Sequence, residues 1–534
     1  MPALKKSHYA TAAAPGRGGA SGGCDKPFAR RDEAQGATGV SLIDSKSDSP
    51  PVTATAPQSR LQRRLTRFDA LLLTLSCLSP VFSVYGPGAD VLRQSGTGAA
   101  ALFALGIAVA AVWGMVYAEL GSAYPYAGGD YVGVGSILGP AAGFACLALS
   151  AAIILPMNAY LATLIGTYST QVLPGIARVP VVYGSILLAV AAALLAVRAS
   201  ALLSGVFLAI EFAAVLALVV AGLTHPAPGA LGALLHPRLP SASGWVPVGA
   251  SALALGAVNA AFATVGGNQA IAFGEELIDP HRNMGRVILA ACLLGALAIA
   301  LPVLAVVVGA GDQPGIFHSR APFSAFIRLT AGRDADIALS AAVALAVFNA
   351  LIAQTMFAAR LCYSFARDQV FSAPINAALA RVHARTGAPR LATLTVGALS
   401  AACCALSERV LLVFISGLVV YGFGLVSAAV FVGRKTGRTG GAGRWRSPLF
   451  PLAPLLGLAL ALTFAAADWA DASIGRPSLL ALGALLATAL LWYRFVLSKR
   501  TGGWAPRLAA QREASSEASH ASTARIGTAG EPHS

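Results

Sequence analysis

From Val287 to Ala310 the chain carries no charged side chain, and stretches of this kind recur along most of its length. An α-helix needs about 17–25 predominantly apolar residues to cross the hydrocarbon of a bilayer. In water the same run would have to be buried on every side. Composition removes the second option. Of the 534 residues only 11% are charged and 56% are hydrophobic, whereas a soluble domain carries about a quarter charged residues. That is too little charge to cover a water-facing surface. A spanning β-barrel would show alternating segments of about ten residues, and none occur. The pattern predicts an all-α polytopic membrane protein.

About twelve spans are expected, near 68–90, 98–120, 139–167, 179–197, 201–223, 246–273, 286–310, 335–364, 390–406, 410–432, 449–468 and 478–498. Residues 1–60 are rich in Gly, Ala, Ser, Pro and charge without apolar periodicity, and 501–534 are similarly polar. Both read as disordered cytoplasmic tails. The N-terminal stretch lacks the apolar core of a secretory signal peptide. Residues 61–432 are expected to form a ten-helix core, and 433–500 two additional transmembrane helices.

The net charge of +15 reads as topology and not as a nucleic-acid surface. With both tails inside, Arg63, Arg64 and Arg67 precede the first span on the cytoplasmic side. Arg282 and Arg286 follow the sixth span, Arg367, Arg381, Arg385 and Arg390 lie between the eighth and ninth, and Arg434, Lys435 and Arg438 follow the tenth. An excess of Lys and Arg in cytoplasmic loops is the usual orientation signal. It places the chain as a multi-pass protein of a cytoplasmic (inner) membrane with both termini in the cytoplasm.

Two spans are interrupted. Ser79, Pro80, Val81, Phe82 and Ser83, with Gly86 and Pro87 beyond them, fall inside the first. Val265, Gly266, Gly267 and Asn268, followed by Gln269, fall inside the sixth. Proline removes a backbone donor and glycine weakens a helix interior. In lipid such a break is tolerated only where the freed N–H and C=O groups face protein or a water-filled cavity. Breaks at matching positions of two halves point to a transporter's binding site. These two lie five spans apart, as an inverted five-helix repeat requires. For either break taken alone, a kink without function is the competing reading.

Glu211 sits well inside the fifth span between apolar neighbours. A charge at that depth costs about 2.5 kcal/mol or more, so the residue should face the bundle interior. Burial favours the neutral carboxyl, which makes Glu211 a candidate for loading and releasing a proton. A hydrogen-bonded structural role and a counter-charge for a cationic substrate are its alternatives. Asn158, Tyr160, Asn349 and Gln354 either line a pocket or bond between helices. Glu275, Glu276, Arg282, Arg367 and Asp368 are candidate cytoplasmic gate pairs, with surface ion pairs as the competing reading. The seven cysteines show no CxxC spacing. No phosphate loop, metal-ligand cluster or nucleophile elbow is present, so neither cofactor, metal nor enzymatic activity is expected.

Three segments then carry a resemblance. "YAELGSAYPYAGGDYVGVGSILGPAAGF" (Tyr117–Phe144), "AFGEELIDPHRNMGRVIL" (Ala272–Leu289) and "ARLCYSFARDQVFSAPINAALARVHARTGAPRLA" (Ala359–Ala392) occur in order. They resemble the segments after the second, sixth and eighth helices of the amino acid–polyamine–organocation (APC) transporter superfamily, and the likeness covers about residues 68–432. The resemblance implies the leucine-transporter-like fold, a 5+5 inverted repeat (about 68–223 and 246–432) with helices 1 and 6 broken and substrate held between them. It also implies roles for the breaks. Helix N-termini at a break suit a carboxylate, and carbonyls at the other end suit an ammonium. Relatives usually place an aromatic lid where this chain has Gly267 and an acidic residue where it has Asn268. The first break lacks their closely spaced glycines. Proton-coupled relatives carry a Lys near the position of Glu211.

The sequence therefore predicts an amino acid permease: a secondary active transporter of an amino acid or related amine working by alternating access. The coupling ion is a proton, with sodium as the other choice. An exchanger or facilitator of the same fold is the near alternative. A membrane ligand sensor is the distant one, and it would need a folded signalling domain that neither tail resembles.

Overall fold

Thr66 starts the first membrane helix with a reciprocal cap. Its hydroxyl accepts the Asp69 N–H at 3.2 Å, and the Asp69 carboxylate accepts the Thr66 N–H at 2.9 Å. Donors that a helix start leaves open are thereby satisfied. The structure, a computed structural model, describes residues 63–506 apart from 174, 196, 242–243, 312, 320, 408–409, 412–414, 416–419, 474 and 501–502. Almost all of both expected tails lies outside these residues. Trp504, inside the stretch expected as a C-terminal tail, is instead buried and donates its indole N–H to the Asp368 carbonyl at 2.9 Å. An aromatic ring with a polar edge anchors that stretch.

The first broken helix comprises α1 (Arg67–Leu78), α2 (Pro80–Ser83), a π-helical turn at Val84–Gly88 and α3 (Ala89–Ser95). The run continues into α4 (Ala99–Ala123). A short α5 (Asp130–Leu138) precedes α6 (Pro140–Val172), α7 (Arg178–Ala193) and α8 (Val197–Thr224). After α9 (Ala230–Leu235), strands β1 (Arg238–Ser241) and β2 (Gly244–Pro247) form an antiparallel hairpin with Leu239 opposite Val246. The second broken helix is α10 (Ala250–Thr264) followed by a 3₁₀ segment, Gly267–Phe273. Then come α11 (Pro280–Ala310), α12 (Pro314–His318), α13 (Pro322–Ala331), α14 (Arg333–Arg367), α15 (Ala373–Leu379) and α16 (Arg390–Cys403). The chain ends in α17 (Ser427–Lys435), α18 (Leu452–Ala470) and α19 (Gly475–Trp492).

Among the described residues eight helical segments are long and apolar enough to cross a membrane. The first, Arg67–Ala123, holds the expected first and second spans in one run. The helices at the expected fourth and ninth spans, α7 and α16, are apolar but shorter. The expected tenth span falls partly on undescribed residues. The chain is thus a mostly helical, multi-pass membrane protein.

Packing follows small residues. Helix α4 lies along α11, α6 along α14, and α8 along α11. At the α8–α11 crossing a Cβ on Gly309 would lie 3.0 Å from the Gly222 Cα, so the two backbones approach as only glycine permits. Leucines on the outside of the bundle, such as Leu187, Leu216, Leu294 and Leu462, are exposed, while Glu119, Glu211, Glu276 and Arg360 are buried. This inverted distribution is the one lipid selects, with charge turned inward; Glu276 pairs with Arg360 and Glu119 with Arg434, while Glu211 is held by hydrogen bonds.

Candidate functional site

The chain leaves α1 at Ser79, whose φ of 44° lies in the left-handed region, and Pro80 then opens α2 at a position where its missing N–H costs nothing. The donors that follow are all taken within the chain. The Val81 N–H reaches Glu211 Oε1 at 2.9 Å, the Phe82 N–H reaches Ser79 Oγ at 3.2 Å, and the Ser83 N–H reaches the Ser79 carbonyl at 3.0 Å. The Ser79 hydroxyl donates to the same Glu211 oxygen at 2.6 Å. Glu211 on α8 is therefore brought onto the first break, where it caps the half-helix that begins there. It is fully buried, and its second oxygen, Oε2, has no hydrogen-bond partner among the described residues. No Lys or Arg pairs with it among the described residues.

The second break runs from Val265 through Gly266, whose φ of 154° with ψ of −10° is open to glycine. The side of Gly267 that would carry a Cβ faces α11: the added atom would stand 2.6 Å from Cys292 Sγ and 2.9 Å from the Ile288 carbonyl oxygen. An aromatic side chain there would meet α11 and not a binding cavity. Even Gly267→Ala is expected to lower stability, by about 1–3 kcal/mol as overpacking against backbone does. Thermal unfolding in detergent measures this, and an unchanged midpoint would contradict the packing.

A cavity lies beside this break. Its polar lining is Asp130, Ser150, Asn268, Gln269, Gln354 and Tyr421, and Ile153, Ile154, Met157, Phe357 and Leu361 supply the apolar wall. At about 40 Å³ it has room for a few waters at about 10–15 Å³ each. The Gln354 amide nitrogen reaches the Cys77 carbonyl in the last turn of α1 at 3.4 Å, which ties the cavity to the first break. Asp130 starts α5, between the segments Arg67–Ala123 and Pro140–Thr170. Its carboxylate accepts the Tyr117 hydroxyl at 3.2 Å and the Asn268 side chain. Asn268 in turn accepts the Trp113 indole N–H at 3.3 Å. Burial pushes the Asp130 carboxyl up to about 7, against the pull of the Tyr117 and Asn268 hydrogen bonds.

At one end of the bundle, elements are tied together by charge and backbone. Glu275 Oε1 accepts Arg367 Nη1 at 2.6 Å and the Ala127 N–H at 3.0 Å. Arg367 Nε lies 3.6 Å from Asp368, which also accepts the Tyr131 hydroxyl at 2.8 Å. Glu276 pairs with Arg360, a buried residue of α14 that also sits over the Phe273 ring at 4.9 Å. Arg282 is exposed and stands outside this network. The backbone adds a latch: the Arg64 and Leu65 N–H groups bond the Glu276 carbonyl, and the Ile278 N–H bonds the Leu65 carbonyl. The segment before α1 is thereby tied to the loop that follows the second broken helix.

Sequence reasoning missed Arg360, Glu119 and Asp130. Glu119 is fully buried in α4, pairs with Arg434, and accepts the Thr439 hydroxyl at 2.8 Å and the Ser447 N–H at 3.0 Å. It therefore holds the loop after α17 in place. The available signal was the one used for Glu211, a charge between small and apolar neighbours.

A family model described as "Amino acid permease" matches residues 65–488. Asc-type amino acid transporter 1 of Mus musculus is 27% identical over 357 residues, which is 64% of this chain and 64% of that protein. The Homo sapiens protein of the same name is 27% identical over 357 residues, 64% of this chain and 65% of its own. An uncharacterized transporter of Mycobacterium bovis is 29% identical over 438 residues, 78% of this chain and 90% of its own. The chain spans just under two thirds of the length of the Asc-type relatives it matches.

Proposed function

Because the chain belongs to the amino acid permease family, we propose that it is a secondary active transporter moving an amino acid or related amine across the cytoplasmic membrane by alternating access, coupled to protons through Glu211. The observation that carries the coupling is the hold of Glu211 on Ser79 and Val81. An ionised Glu211 occupies the donors that a helix N-terminus would otherwise offer to a carboxylate. A proton on Glu211 weakens its acceptor strength and frees the Ser79 hydroxyl and the Val81 N–H for a substrate carboxylate. Proton and substrate therefore bind together, which is the requirement for symport.

The architecture belonging to this reading is twelve spans in a leucine-transporter-like arrangement, with 5+5 inverted repeats and both termini cytoplasmic. The tied end then faces the cytoplasm, and Glu275–Arg367, Glu276–Arg360 and the Leu65 latch open together to release substrate. The substrate contacts are backbone and side chain from Ser79 to Ser83 and from Val265 to Asn268. The names of the relatives at 27% identity favour an amino acid over other amines. Counterflow in proteoliposomes tests the substrate class. Vesicles preloaded with an unlabelled transported amino acid should take up the labelled compound above equilibrium, whereas no counterflow with any amino acid or amine would refute the reading. An obligate exchanger would show counterflow but no uptake into empty vesicles under a pH gradient.

A further inference from the structure

Among the described residues, the cavity beside the second break has an acid and no base. Asp130 is 7% exposed and lines the cavity, yet its hydrogen-bond partners are a phenol and an amide, Tyr117 and Asn268. Among the described residues no Lys, Arg or His lines the same space. A buried carboxylate without a cationic partner is costly, and such groups are normally paired. Two further acceptors border the cavity unmet. Gln269 Oε1 and Gln354 Oε1 are buried and have no hydrogen-bond partner among the described residues, although unpaired buried acceptors are uncommon. Gln354 is fixed in this orientation because its nitrogen is spent on the Cys77 carbonyl. A carboxylate and two unmet amide oxygens call for a ligand that brings several donors and one positive charge. An ammonium has three donors and no acceptor. The rest of the wall, from Ile153, Met157 and Phe357, asks for an apolar body.

We propose that Asp130 receives the ammonium group of the transported molecule, with the Gln269 and Gln354 side-chain oxygens as its further acceptors, so that the ligand is a primary ammonium compound with an apolar body. This rests on reading the cavity as the transport site, and it adds a recognition group that neither break supplies. In this structure the carboxylate is hydrogen-bonded to Tyr117 and Asn268. Widening of the cavity admits the ammonium, which then shares Asp130 with those two groups. The other titratable groups near Asp130 are Tyr117 on α4, Tyr421, and Cys146 on α6, and none is a cation.

The test is binding to the purified full chain in detergent, with leucine as probe alongside 4-methylpentanoate, which is leucine without its amino group. Wild type should bind leucine, and 4-methylpentanoate should fail to compete. Asp130→Asn should weaken leucine binding at least tenfold. Because Asp130→Asn also alters the hydrogen bond to Asn268, the exchange D130N/N268D serves as a second variant. It keeps an acid and an amide at the two positions and should recover most of the affinity. Leucine affinity within twofold of wild type in Asp130→Asn would overturn the proposal, as would competition by 4-methylpentanoate equal to that by leucine. If wild type bound no amino acid or amine at all, the transport reading itself would fail, and that outcome is distinct from loss of the Asp130 assignment.

Discussion

Replacing Glu211 with glutamine is expected to abolish proton-driven accumulation while leaving exchange intact. The glutamine carbonyl oxygen can still accept the Ser79 hydroxyl and the Val81 N–H, which lie 2.6 Å and 2.9 Å from Glu211 Oε1. The break therefore keeps its shape, and what disappears is the proton site. One pH unit carries about 1.4 kcal/mol per proton, so a one-to-one symporter can accumulate substrate about tenfold across such a gradient. Wild-type vesicles should approach that ratio, and Glu211→Gln vesicles should stay near one. Counterflow, which needs no net proton movement, should persist in the variant. Glu211→Gln vesicles that accumulate substrate as wild type does would remove Glu211 from the coupling.

The second large effect is structural. Arg360 and Glu276 are 2% and 1% exposed, and each is the other's counter-charge. Arg360→Ala leaves the Glu276 carboxylate buried without a partner, beside a backbone carbonyl already committed to Arg64 and Leu65. Breaking a buried pair from one side costs about 3–5 kcal/mol, whereas replacing both members with apolar residues of similar size is often close to neutral. Arg360→Ala should therefore lower the thermal unfolding midpoint in detergent sharply, and the pair Arg360→Met with Glu276→Leu should recover most of it. A midpoint for Arg360→Ala equal to wild type would show that the pair does not hold the tied end. Transport is a separate readout: the double variant, stable but without the ion pair, should leak substrate faster.

Residue types and spacings carried much of this outline. The lack of charge in runs such as Val287–Ala310 fixes a helical membrane protein, since hydrocarbon satisfies no backbone group from outside. Both breaks were legible because proline and paired glycines have few uses inside a span. Glu211 was legible as a buried acid, but its partners Ser79 and Val81, 132 and 130 residues away, depend on how α8 crosses α1. The same limit applies to Gly267. Counting along the chain locates the residue, while the direction a Cβ there would take is set by the backbone of the 3₁₀ turn, and α11 lies in that direction. Arg360 was hidden by its position two turns before the conspicuous Arg367–Asp368 pair. The partner of Glu276 is chosen by proximity in space, and Arg282, closer in sequence, is turned to the outside.

The coupling of amino acid and proton movement in one step is most directly tested by measuring both fluxes together. Wild-type protein in proteoliposomes with a trapped pH-sensitive dye and no internal substrate should acidify the lumen when a transported amino acid is added outside. Labelled amino acid should enter in the same period, and a protonophore should collapse its accumulation. Entry of the amino acid without lumen acidification, or entry only when the vesicles already hold substrate, would contradict proton symport and leave a facilitator or an exchanger in its place.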